Sequence, residues 1–180
     1  MIYCDVCSVQ QPILRSRRCE TCKRLITQAS NTGATGSRTS IPAAIAVVAI
    51  RESVELHASI YPSPPHGYAC HYTQIQLETE NAKSRLGSYG SFDHTVPNDA
   101  GRAVLCSRII NDIKGWMTDT EFYQFVCDTL DVHAPRKIHG LTIPQTHEFL
   151  VALKEIMSND SESIANARDT VHRLSGTILY

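Results

Sequence analysis

Two groups of residues in this 180-residue chain combine side-chain type and spacing in a way that suits chemistry. The first is Cys4-x-x-Cys7 with Cys19-x-x-Cys22, four of the seven cysteines, the pairs separated by eleven residues. A C-x-x-C pair sits on a tight turn that aims two thiolates at one ion, and two such turns complete the tetrahedral four-sulfur shell of structural zinc, as in a ribbon or knuckle. With no further ligand in view, the expected site is closed and structural; the bland alternative is four reduced thiols without metal. The second group is Asp93, His94, Pro97, Asn111 and Lys114. An imidazole titrates near neutrality and can take a proton from water, while carboxylate and amide oxygens suit a hard divalent ion such as Mg²⁺ that keeps several waters. Neighbouring strand residues point to opposite faces, so Asp93 and His94 can converge on one phosphate only at a strand end or bulge; Pro97 is consistent with such an end.

The elements that must position these residues follow from pattern. Ser40 and Pro42 start a helix with Ile45, Val48 and Ala49 on one face, although the β-branched run to Ile50 also suits a buried strand. The segment Tyr61 to Gly67, with three prolines, breaks that element, and Tyr68 to Leu77 reads as extended or hairpin. A short strand from Arg102 to Cys106 and a helix from Ser107 to Lys114 follow, with Gly115 as the stop. Thr118-x-x-Glu121, Thr142-x-x-Gln145 and Asn159-x-x-Glu162 each read as a capping box opening a helix. The last two helices form a hairpin that either packs on the body or mediates self-association as a homodimer.

The ordered set Asp93-His94-x-x-Pro97, Val104-Leu105-Cys106, Asn111-x-x-Lys114-Gly115 and Thr118-x-x-Glu121-Phe122 resembles the HNH branch of the His-Me finger (ββα-metal) endonucleases. The resemblance covers about thirty residues. It implies an α+β fold with a ββα-metal core, flanking helices and a small N-terminal zinc-binding module. It implies Mg²⁺ or Mn²⁺ on Asp93 and Asn111, His94 as general base, and hydrolysis of DNA phosphodiester bonds to 5′-phosphate and 3′-hydroxyl ends. Lys114 is either a DNA-phosphate contact or a helix-end lysine facing water. Two departures stand out: Arg102 and Ala103 occupy the place of the family's middle asparagine, and Thr73 and Ile109 stand where many relatives have cysteine partners for Cys70 and Cys106. Those two cysteines are therefore read as buried apolar residues, and Cys127, among Phe122, Phe125, Val126 and Leu130, as a core residue.

Composition narrows the rest. At 42% hydrophobic and 19% charged the chain is ordinary for a folded soluble domain. The longest apolar run, Ile41 to Ile50, is about half a bilayer span, so no membrane partner is expected. With no secretory signal in view, the expected location is cytoplasmic. Charge is uneven: residues 1–24 hold Arg15, Arg17, Arg18, Lys23 and Arg24 against Asp5 and Glu20, or 5 − 2 = +3, leaving −4 for the remainder of a chain of net −1. A basic head suits a nucleic-acid backbone; a solvated charged loop is the alternative.

The expected organisation is a Cys4 zinc module at 1–27, a flexible linker at 28–40, an HNH-like domain at 41–131 and a helical hairpin at 132–180. The leading functional expectation is a metal-dependent DNA endonuclease gripping DNA through Arg15, Arg17, Arg18, Lys23, Arg24 and Lys114. The runner-up is a non-catalytic zinc-containing nucleic-acid-binding protein on a degenerate HNH scaffold, and a third reading makes the zinc head a protein-interaction adaptor.

Overall fold

In the computed structural model, residues 2–11, 17–31, 40–62, 66–80, 86–97, 99, 101–131, 138, 140–159 and 163–178 are described. The chain is a mixed α+β protein. Strands β1 (Ile2–Tyr3) and β2 (Gln10–Gln11) pair antiparallel and close a loop around the first cysteine pair. Helix α1 (Glu20–Asn31) starts inside the second pair and buries Cys22, Leu25, Ile26 and Ala29, the i, i+3, i+4, i+7 stripe of one helix face. Residues 28–31 of the expected linker are therefore helical, because Ala29 continues that stripe. Residues 32–39 lie outside the described residues.

Helix α2 (Ala43–Ile60) settles the helix-or-strand ambiguity in favour of helix, burying Ala46, Ala49, Ile50, Ser53 and His57. Val48, expected on the apolar face, is half exposed. α2 packs on α1 and on β4 (Ala103–Ser107), which pairs antiparallel with β3 (Gly90–His94) in the register Gly90↔Ser107 to His94↔Ala103. Every residue of β4 is buried. The Tyr68–Leu77 hairpin forms through an Ala69↔Gln76 bridge and lies against β4, where the His71 N–H donates to the Leu105 carbonyl at 3.0 Å. Cys70 and Cys106 are fully buried as expected of apolar residues, and burial holds the Cys106 thiol well above its ordinary pKa.

Helix α3 (Arg108–Lys114) follows β4 without a loop and stops at Gly115, whose φ of +54° is the left-handed conformation glycine accepts most readily. Helix α4 (Asp119–Asp131) opens with the expected capping box, Thr118 N–H to Glu121 Oε2 at 2.7 Å and Glu121 N–H to Thr118 Oγ1 at 3.3 Å. Cys127 on this helix is partly buried rather than in the core. Helix α5 (Ile143–Ser158) has its capping box at Thr142 and Gln145. Asn159 departs from expectation: at φ +58° it ends α5 in a left-handed cap, and α6 (Ile164–Thr177) begins after Ser163.

α5 and α6 pack as a hairpin, and α4 lies against α5. Phe122, Phe149, Leu153, Val171 and Leu174 join one core with Leu25, Ile50, Phe92 and Leu105. The hairpin is tied to the body by Arg168 on Gln74 and by the Gly87 N–H on the Ile178 carbonyl. The N-terminal module also shares this core through Val6, Leu25 and Ile26. No helix among the described residues is long and apolar enough to cross a membrane.

Candidate functional site

The Sγ atoms of Cys4, Cys7, Cys19 and Cys22 all lie within 4.8 Å of one another. A tetrahedral zinc with Zn–S of about 2.3 Å would set its sulfurs roughly 3.8 Å apart, so the cluster needs only slight contraction; Cys7 and Cys19 are already at 3.6 Å. Local structure makes the geometry. The Ser8 N–H closes on the Cys4 carbonyl at 3.0 Å, with Ser8 left-handed at φ +59°, and the Cys4 N–H donates to the Val9 carbonyl. The Asp5 N–H donates to the Arg17 carbonyl, drawing the two loops together.

The Cys19 N–H donates to Cys4 Sγ at 3.3 Å, and the Cys22 N–H donates to Cys19 Sγ at 3.4 Å, which favours the Cys19 thiolate. Four thiols in so small a volume cannot all ionise without a cation. Hydrogen bonds from Cys22 and Cys7 pull Cys19 down to about 2. Cys7 is pushed up to about 11, first by its bond with Cys19, and Cys22 is raised by the same neighbour. All seven cysteines are free of disulfides. This donor set can bind a thiophilic metal such as zinc.

The cluster is joined to the body. Cys22 Sγ meets the Tyr68 hydroxyl at 3.6 Å, and Arg51 Nη2 donates to the Asp5 carbonyl at 2.8 Å. Burial first, then the neighbouring Cys22, raises the Tyr68 phenol above its ordinary range, so it stays protonated.

The second group of sequence candidates meets at the far end of β3. Asp93 is buried, and its Oδ2 accepts the Tyr72 hydroxyl at 2.9 Å and pairs with Lys114 Nζ at 3.0 Å. The same ammonium donates to the His94 carbonyl at 3.1 Å and lies 3.5 Å from Asp119 Oδ1, while the Tyr72 hydroxyl also reaches Asp119 at 2.9 Å. Burial and the Asp93 charge raise the Tyr72 phenol, which keeps it a donor. Asn111 is buried too, with Nδ2 donating to Ser91 Oγ at 2.8 Å and to the Phe92 carbonyl at 2.9 Å. His94 is half-buried at the last pair of the hairpin, opposite Ala103.

These contacts bear on two expectations. Nothing here supports Mg²⁺ on Asp93 and Asn111: the Asp93 carboxylate is paired with an ammonium, and the Asn111 amide nitrogen fastens α3 to β3. Apart from the four cysteines, no group of three or more His, Cys, Asp or Glu donors comes together among the described residues. Lys114 is neither a phosphate contact nor a water-facing lysine, since its side chain is 0% exposed. Tyr72 and Asp119 were not singled out from sequence. They lie 21 residues before Asp93 and 47 residues after Tyr72 respectively, beyond any local pattern.

The basic residues divide. Arg15 lies outside the described residues. Arg17 is exposed, and Arg18 pairs with Asp5 at 3.6 Å. Lys23 and Arg24, on α1, line an open groove of about 510 Å³ together with Gln28, Asn31, Tyr89 and Arg108, the first residue of α3. Its one acidic wall residue, Glu20, pairs with Lys23 at 3.4 Å. The Arg108 guanidinium sits over the Tyr89 ring at 5.9 Å, and Arg24 Nη1 donates to the Glu80 carbonyl. Arg108 and Tyr89 were also missed from sequence; a lone arginine at a strand–helix junction carries no signal until α1 is laid beside it.

No protein-family model, curated protein or solved structure matches the chain.

Proposed function

We propose that this chain is a nucleic-acid-binding protein: a zinc-bound N-terminal module fixes a basic groove beside a ββα unit, β3–β4–α3, of the HNH kind. The observation that carries this reading is the groove itself, where Lys23, Arg24 and Arg108 face one carboxylate, Glu20. Cations brought to one groove from two helices suit backbone phosphates, and Gln28 and Asn31 add neutral hydrogen-bonding groups. Cys4 and Cys7 on the β1–β2 loop and Cys19 and Cys22 at the start of α1 would hold the metal, which would fix the helix that supplies Lys23 and Arg24. DNA is the partner favoured by the HNH resemblance.

The test is fluorescence anisotropy with short duplex DNA, single-stranded DNA and RNA over a series of salt concentrations. Binding should weaken steeply with salt. Lys23→Glu/Arg24→Glu/Arg108→Glu should weaken it by at least about tenfold and lower the salt slope by about 1 for each phosphate no longer neutralised. Absence of binding at low salt, or an unaltered slope in the triple variant, would sink the reading.

A second reading, phosphodiester hydrolysis with His94 as general base, rests on the HNH resemblance and on the place of His94, half-buried at the end of β3 beside Asp93, its backbone carbonyl held by Lys114. Nicking of supercoiled plasmid in the presence of Mg²⁺ or Mn²⁺, abolished by His94→Ala in a folded protein, would install it over the first. Intact plasmid under all these conditions would remove it.

A further inference from the structure

Lys114 is the last residue of α3, a position where a lysine ordinarily extends into water towards the helix C-terminus. Here it turns inward. Its Nζ lies among three oxygens from different parts of the chain: Asp93 Oδ2 at 3.0 Å on β3, the His94 carbonyl at 3.1 Å and Asp119 Oδ1 at 3.5 Å on α4. The Tyr72 hydroxyl, from the 68–77 hairpin, lies 2.9 Å from both carboxylates, its one proton shared between them, and so brings them together around the ammonium. All of these are hard oxygen donors, the kind that Mg²⁺, Mn²⁺ or Ca²⁺ takes. The cage is nearly closed: Lys114 is 0% and Asp93 5% exposed, while Asp119, at 44%, opens one side to solvent.

We infer that this is a built cation site whose occupant is the protein's own ammonium, so that Lys114 excludes the divalent ion that Asp93 would otherwise hold. Charge and distance both lead there. With the lysine the cage sums to +1 − 1 − 1 = −1; without it the two carboxylates leave −2, which one divalent ion neutralises. Asp93 Oδ2 already accepts from the Tyr72 hydroxyl and the Lys114 ammonium, and an ammonium 3.0 Å away repels a divalent ion from that oxygen. Truncating Lys114 opens room for a hydrated ion, and the half-exposed Asp119 offers a way in. The inference uses neither the basic groove nor nucleic-acid binding, and stands or falls apart from them.

The experiment is a Mn²⁺ titration of the full-length, zinc-loaded protein at neutral pH, followed by the electron paramagnetic resonance of free Mn²⁺. Wild type should leave Mn²⁺ free. Lys114→Ala should gain one site with affinity of about 10⁻⁴–10⁻³ M, typical of an open oxygen site, and adding Asp93→Asn or Asp119→Asn should weaken or remove it. A folded Lys114→Ala protein that gains no site overturns the inference, and so does a wild-type site that Asp93→Asn abolishes. Should Lys114→Ala fail to fold, the wild-type protein decides alone. Its Lys114 ammonium signal in nitrogen-15 NMR should be protected from exchange and unmoved by millimolar Mg²⁺. A Mg²⁺-dependent shift of that signal, or its broadening by Mn²⁺, would show the ion entering the cage and overturn the inference.

Discussion

The molecule holds two compact polar clusters, and they solve the same electrostatic problem in opposite ways. At the N-terminal end, Cys4, Cys7, Cys19 and Cys22 gather four sulfurs within 4.8 Å of one another. At the end of β3, Asp93 and Asp119 gather around Lys114, and the cation is covalently part of the chain. The first cluster could take its positive charge from a bound metal such as zinc. In the second the positive charge is the chain's own ammonium. Soft sulfur on two short turns suits a thiophilic metal; hard oxygen here surrounds a buried lysine.

The largest effect should come from emptying the first cluster. Removing metal with a strong chelator, or Cys22→Ser at the buried root of α1, should cost upwards of about 5 kcal/mol, since structural zinc supplies roughly 10–16 kcal/mol of apparent folding energy in small modules. Thermal unfolding by circular dichroism with and without chelator measures it. An unchanged melt would erase the contrast between the clusters, because the sulfurs would then need no partner.

Breaking the second cluster should come next. Lys114→Met leaves the Asp93 carboxylate buried and unneutralised, at a cost of about 3–5 kcal/mol, whereas Lys114→Met/Asp93→Leu removes both charges and should recover most of it. Urea unfolding of the single and double variants gives the coupling. Simple additivity would mean that the pair does not act as a unit.

A buried histidine sharpens the comparison, because it has neither solution. His57 is 0% exposed, its Nδ1 and Nε2 have no hydrogen-bond partner among the described residues, and Gly67 packs so closely that a Cβ there would lie 2.3 Å from Nε2. Burial, with His66 nearby, lowers its pKa below the ordinary 6.5, so the unfolded chain binds the proton more readily than the folded one. Stability should therefore hold above pH 6.5 and decline as the pH falls through that value towards the lower folded pKa. His57→Met should flatten that decline in urea unfolding measured across the range; an equally steep decline in the variant would assign it to other groups. The smallest effect expected is that of Thr118→Ala, about 1 kcal/mol for a lost N-cap, read from the same unfolding curves; it bears on how firmly α4 holds Asp119 in the cage.

Legibility from sequence followed the range of the interaction. The boxes at Thr118 and Thr142 could be read because each joins residues three apart. Asn159 misled for the same local reason: asparagine suits both an N-cap and a left-handed C-cap, and the end of α5 took the second. The cysteine cluster was legible because two short turns already carry all four donors. The groove was half legible. Lys23 and Arg24 lay in the basic head, but Arg108 joins them only because α1 packs beside the β3–β4 hairpin.

By itself, then, the sequence determined the grouping of the four cysteines and the capped starts of α4 and α5, since each follows from short spacings; the gathering of Asp93 and His94 with α3 was what the HNH resemblance implied. Only the tertiary structure decided what neutralises Asp93. That depended on burial: once Tyr72 and Asp119 arrive from distant segments and water is displaced, an ammonium at hydrogen-bond distance is held by the carboxylates, and the lysine that sequence would send to solvent or phosphate turns into the core.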